Sequence, residues 1–144
     1  MKPIRHILVP TDFGEPAERA IALAVELARP LGAKLTLLHV YEIPGAASYE
    51  GVYLALDAYE RDARAKLDER FRALVKEHAD SEAALEQGPA WERILAVAKE
   101  RGCDLIVMGT HGRSGLERLL IGSVAERVVR ASPVPVLTLG HGEA

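Results

Sequence analysis

The chain has 144 residues, 49% of them hydrophobic and 27% charged, and a net charge of −3. This size and balance predict one soluble domain spanning residues 1–144 with a substantial core. They exclude the broad basic surface that non-specific nucleic-acid binding needs. No apolar run approaches the roughly eighteen residues of a membrane span, and the first residues lack the apolar stretch of a signal peptide. Cys103 is the only cysteine, so neither an internal disulfide nor a CxxC metal site is available. A reducing cytoplasm is the expected setting.

In chain order, residues 4–9 form a short apolar run ending at Pro10, with Asp12 just past it. Pro16 suits a first helical turn. Ala20, Ile21, Ala24, Leu27, Ala28 and Leu31 then recur at three- and four-residue steps, the period of an amphipathic helix. Gly32 closes it, and residues 34–41 make a second, nearly continuous apolar strand. Strand, helix and strand in about forty residues predict a parallel βαβ unit with a right-handed crossover.

Residues 43–52 hold Pro44, Gly45 and Gly51 and show no period, so a mobile loop is expected there. A long helix follows, carried by Leu56, Tyr59, Ala63, Leu67, Phe71 and Leu74. Residues 83–86 form a short strand near an edge. Gly88-Pro89 opens a third helix with Ile94, Leu95 and Ala98 inward and Gly102 as its stop. Residues 105–108 are the fourth strand, 123–131 the fourth helix and 134–139 the fifth strand. Strict β/α alternation predicts an open α/β parallel sheet of five strands, Rossmann-like, with helices on both faces.

The stretch that organises the chain is residues 105–124, LIVMGTHGRSGLERLLIGSV. An apolar strand stops at Gly109. A loop with Gly112 and Gly115 follows, and then Gly122 and Ser123 open a helix. Glycines serve backbone with φ > 0 or close approach of another group, and Ser123 is a good N-cap. A glycine-rich loop leading into a helix N-terminus presents N–H groups and a positive dipole end, which suit phosphate. The spacing G-x2-G-x9-G-S is neither a Walker A loop nor the dinucleotide G-x-G-x-x-G.

On Gly109, Gly112, Gly122 and Ser123, together with ILVPTDF at residues 7–13 and GSVAERVVRASPVPVL at 122–137, the chain resembles the ATP-binding branch of the universal stress protein family. The resemblance covers nearly the whole length and is weakest over residues 43–82. It implies the strand order 3-2-1-4-5, in which the winding reverses between strands 1 and 4. Ligands of open α/β sheets sit in the crevice beyond such a reversal. Asp12 follows strand 1 and Gly109 follows strand 4, so both clues meet at one crevice.

Within that crevice Asp12 can accept from ribose hydroxyls or hold Mg²⁺ or Mn²⁺; as a plain residue it would be a helix cap or a turn former. The resemblance implies the ligand role, with Pro10 and Thr11 shaping the adjoining loop. It also implies that backbone groups at Val40 meet the adenine edge, where a core valine fits equally well. Met108 packs on the base or fills the core. Ser123 and Val124 at the helix start face the terminal phosphates, and Arg113 either screens phosphate charge or stays solvated. His111 lies within reach, although a structural role is favoured. His6, His39 and His78 read as packing residues, Trp91 as core or rim, and Cys103 as buried and inert.

The expected ligand is ATP with Mg²⁺ or Mn²⁺, bound by a regulatory stress protein that hydrolyses it slowly at most. The rivals are a nucleotidyl- or phosphotransferase, which would need an added acid/base or HxGH-type motif, and an interaction module without nucleotide. The last strand carries no charge over residues 134–139, and Pro135 removes only one donor. An edge of that kind predicts a homodimer formed strand to strand, as the resemblance also implies.

Overall fold

The computed structural model describes residues 2–43, 49–111 and 121–140, and for residues 49–55 the backbone alone. Its strands are β1 (His6–Pro10), β2 (Lys34–Tyr41), β3 (Ser81–Gln87), β4 (Leu105–Gly109) and β5 (Val136–Leu139). The helices are α1 (Glu15–Leu31), α2 (Tyr49–Glu77), α3 (Ala90–Glu100) and α4 (Ser123–Ala131). All described pairings are parallel, in the order β3-β2-β1-β4-β5. The expected five-stranded open sheet is therefore the observed one.

Side chains alternate across each strand, and the core divides accordingly. Ile7, Val9, Leu35, Leu37, Leu105 and Val107 point to one face and pack against α1 and against Leu67 and Leu74 of α2. Leu8, Leu38, Ile106 and Met108 point to the other face and meet Ile94, Val97 and Ala98 of α3 with Ala125 and Val128 of α4. Burial on both faces is why the inner strands read as unbroken apolar runs. Gly32 ends α1 at φ 62°, and Gly102 follows α3 at φ 65°, so both stops use backbone that favours glycine.

Several boundaries differ from the sequence expectation. The first strand is shifted, with Ile4 and Arg5 outside it and Pro10 inside; Pro10 is the last residue in register with β2, opposite Leu38. The loop expected over residues 43–52 is shorter, because α2 begins at Tyr49 and includes Gly51. Residues 44–48 lie outside the described part. Tyr59, assigned to the apolar side of that helix, is exposed. β3 is an edge strand as expected, but it extends over Ser81–Gln87 because the polar Glu82 is held by ion pairs to Lys34 and Arg101. β5 starts at Val136, with Val134 and Pro135 leading into it.

Candidate ligand cleft at the sheet reversal

β1 has β2 on one side and β4 on the other, so the chain reverses its winding across β1. Past the carboxyl ends of these strands lies a cavity of about 250 Å³. From β1 come Pro10 and, beyond it, Thr11 and Asp12; from β2 come Leu38 and Val40. Met108 and Gly109 arrive from β4, followed by Thr110 and His111, while Gly122, Ser123 and Val124 arrive from the start of α4. Every described residue named from the sequence thus borders one cavity. Gly112 and Arg113 lie outside the described residues.

Sequence reasoning missed Thr110, Leu38, Ala17, Ala90, Ile94 and Ala125, which also line it. The alanines sit in first helical turns that follow carboxyl ends of strands. That position, rather than residue type, was the available signal. Thr110 stands between two residues that were named. It is buried, donates its backbone N–H to the Leu139 carbonyl at 2.9 Å and its hydroxyl to the same oxygen at 3.0 Å. With the hydroxyl proton so placed, His111 donates from Nδ1 to Thr110 Oγ1 at 2.9 Å. His111 is buried and anchored at the cavity wall, which fits the structural role favoured for it.

The Asp12 turn is built from its own side chains. Phe13 N–H donates to Thr11 Oγ1 at 3.0 Å, and Gly14 N–H donates to Asp12 Oδ1 at 2.9 Å. Asp12 is therefore a turn former that also borders the cavity; the cap position of α1 belongs to Gly14, with no side-chain cap. Asp12 is the one carboxylate among the described lining residues. No group of three or more His, Cys, Asp or Glu able to hold a metal ion occurs among the described residues. A divalent cation here would need phosphate oxygens beside the Asp12 carboxylate, the usual way Mg²⁺ accompanies a nucleotide.

Two roles shift. Ser123 is not the N-cap of α4: Gly122 holds that position at φ −61°, ψ 154°, its N–H donated to Thr110 O at 2.6 Å. Ser123 is exposed at the first helical position, and among the described residues no side chain caps the helix. The N–H groups of a first turn have no partner inside their helix. Gly109 does not hold a positive φ. Its missing Cβ would stand 2.8 Å from Pro16 Cβ and 3.1 Å from the Pro16 carbonyl carbon and oxygen. The glycine is required by the close approach of α1 to β4.

The other residues keep the structural roles expected of them. His6 Nε2 meets Thr36 Oγ1 at 2.6 Å, and His78 Nε2 bonds the Ala33 carbonyl at 2.7 Å. Trp91 is half-buried beneath the Arg127 guanidinium, 5.4 Å from its ring centroid. Burial pushes the Cys103 thiol up to about 11, so it stays protonated and unreactive.

An open parallel sheet covered on both faces, with its cavity at the reversal of winding, defines a Rossmann-like α/β protein. Within that class the chain belongs to the universal stress protein family, whose model matches residues 3–139. A universal stress protein of Methanocaldococcus jannaschii is 34% identical over 142 residues, covering 94% of this chain and 81% of that one. The universal stress protein UspA from Lactobacillus plantarum superposes with a TM-score of 0.83 at 26% identity, over 96% of this chain and 99% of that one. A universal stress protein in complex with cAMP superposes with a TM-score of 0.71 at 27% identity, over 96% and 98%.

Proposed function

We propose that this protein binds ATP in the cleft between β1 and β4 and acts as a nucleotide-dependent regulator in the stress response. The observation that carries the reading is the division of one cavity into unlike ends. Toward β2 and α3 it is apolar, lined by Leu38, Val40, Ala90 and Ile94 with Met108 of β4, which packs in the same cluster; toward the start of α4, Thr110 and Ser123 stand among Gly109, Val124 and Ala125. A purine suits the first end and phosphates the second, where backbone N–H groups and the helix dipole favour negative charge. The related protein in complex with cAMP supports a nucleotide of this kind.

In this arrangement Val40 and Met108 flank the base, while Thr11 and Asp12 lie at the ribose or hold Mg²⁺ or Mn²⁺ brought by the phosphates. Ser123 and Val124 lie along the triphosphate, a part the resemblance also gives to Gly112 and Arg113. Phosphoryl transfer depends on positioning and on charge stabilisation. Asp12 is the one carboxylate among the described lining residues and Arg113 the one cation proposed along the triphosphate, so slow turnover at most is expected. Titration calorimetry with ATP and Mg²⁺, with mass analysis of any co-purified nucleotide, tests the proposal. Binding at a single saturable site supports it. A nucleotide-free preparation that gives no heat with ATP, ADP or AMP refutes it.

Two copies are proposed to join through β5, which among the described residues is an edge strand paired only with β4 and presents Leu137 to solvent. An uncharged edge invites antiparallel pairing with a second copy. Sedimentation should give about twice the 15.6 kDa chain mass; a monomer at micromolar concentration rules the dimer out.

A further inference from the structure

Among the described residues, Phe13 is the one non-glycine residue with positive φ, at 67°. A bulky side chain in that region is strained and persists only where its surroundings fix it. The strain lies in the turn that carries Asp12. Hydrogen bonds from Phe13 and Gly14 N–H hold the turn from within. What holds it from outside is His39.

His39 belongs to β2, between Leu38 and Val40, both of which line the cleft. By strand alternation its ring points to the opposite face, toward α1 and α2. The β1–β2 register ends at Pro10 opposite Leu38; Thr11 N–H still donates to Leu38 O at 2.8 Å, and then the chain leaves the sheet. At that point His39 Nδ1 meets the Thr11 carbonyl at 2.8 Å. A carbonyl only accepts, so Nδ1 carries the proton and donates. The same imidazole lies against Phe13, with ring centroids 4.4 Å apart and planes 49° apart. Burial lowers the basicity of His39 against the opposing pull of the Thr11 carbonyl and Asp12; from α2, Lys66 lowers it further and Asp62 raises it. Both the neutral Nδ1–H tautomer and the imidazolium can make this contact, and burial favours the neutral form.

We propose that His39 is a positioning residue for the cleft: from behind the sheet it fixes the Thr11–Gly14 turn in the one conformation that aims Asp12 at the ligand. The inference rests on the nucleotide reading of the cleft. It also goes beyond that reading, because His39 touches no part of the cavity and the sequence marks it as packing. Affinity falls by the fraction of molecules whose turn is correctly set.

The test is ATP–Mg²⁺ titration of the full chain in three forms, with a melting curve and a ¹H–¹⁵N spectrum of each without ligand. His39→Leu removes both the donor and the ring. It should weaken ATP about five- to tenfold, the size of one lost hydrogen bond with some loss of ring packing, and should broaden or split the Phe13 and Gly14 amide signals while those of β5 stay unchanged. His39→Asn places an amide N–H near the position of Nδ1 and should restore most of the affinity without the ring. Wild-type affinity in His39→Leu overturns the positioning role, as does equal weakening in His39→Asn, and either leaves the nucleotide reading intact. Failure of the wild-type chain to bind ATP refutes the nucleotide reading itself. Should His39→Leu fail to fold, the asparagine variant decides: affinity within about twofold of wild type supports the donor role, and full loss in a folded protein overturns it.

Discussion

Gly109→Ala isolates the contact that closes the cleft floor. A methyl group there would meet Pro16 Cβ at 2.8 Å and the Pro16 carbonyl at 3.1 Å. Carbon atoms pack best at about 3.5–4.0 Å. The obstructing atoms belong to a proline ring and to backbone, which cannot rotate aside, so α1 must shift away from β4 by several tenths of an ångström. Overpacking of this kind costs about 1–3 kcal/mol. In a chain of this length that lowers the melting temperature by roughly 3–9 °C. Urea unfolding should show a lower midpoint at unchanged slope. Because Gly14, Glu15 and Pro16 continue directly from the Asp12 turn, ATP affinity should fall as well. A double-mutant cycle with Pro16→Gly assigns the cause: removing the Pro16 Cβ should recover at least about 0.5 kcal/mol relative to the sum of the single changes. An unchanged midpoint, or strict additivity, would refute the steric argument and return Gly109 to a ligand role.

Ser123→Ala should change the unfolding free energy by no more than the small range of surface substitutions, about ±0.5 kcal/mol, because Ser123 is exposed and makes no cap. ATP should weaken about fivefold for one lost hydrogen bond and adenosine not at all; equal weakening of both would remove Ser123 from the phosphate end. Asp12→Asn keeps an acceptor for Gly14 N–H, so the turn and the melting temperature should survive while Mg²⁺–ATP affinity drops severalfold in calorimetry. Unaltered affinity would make Asp12 a turn residue alone. Acid stability should depend on Glu82. Burial raises its carboxyl, but hydrogen bonds from Lys34, Thr36 and Arg101 outweigh that and hold it at about 2. Its folded pKa lies below the unfolded one, so the unfolded chain binds more protons between them. The stabilisation is complete above about pH 4.5 and is lost as pH falls toward 2, worth about 1–2 kcal/mol after allowance for partial exposure. The difference in stability between wild type and Glu82→Gln should shrink over that window; a constant difference would show the pairs to be inert.

Periodicity revealed the layout because the core takes both faces of the sheet, so strands and helices show their full apolar patterns. It failed at several element boundaries. Gly51 reads as a breaker, yet it lies inside α2. Ser81 and Glu82 look like loop residues, but ion pairs from Lys34 and Arg101 hold Glu82 in an edge strand. The cleft was legible through residues just past strand ends, where position implies the crevice. The function of Gly109 was not, since only the spatial approach of Pro16 explains it. His39 likewise reads as packing, and its contact with the Thr11 carbonyl depends on where β1 leaves the sheet.

A parallel sheet begins all its strands at one end and finishes them at the other, and this chain treats the two ends differently. At the amino ends, Asp104 Oδ2 accepts from the N–H groups of Arg5 and His6 at 2.9 and 3.1 Å. Glu82 there takes Lys34, Thr36 and Arg101 at 2.8–3.0 Å. Charge at that end is neutralised by neighbours and contributes to stability. At the carboxyl ends the corresponding groups are a tight turn held at Asp12, a strained Phe13 and a helix start without a side-chain cap. Asp12 and the start of α4 border the cleft, where the proposed nucleotide would meet them. Changes at the two ends should therefore separate, with Glu82→Gln altering acid stability without altering ATP binding and Ser123→Ala doing the converse. Gly109 and His39 stand between these regimes. Each belongs to the packing of one face while setting the geometry of the cleft, so substitution at either should affect stability and binding together.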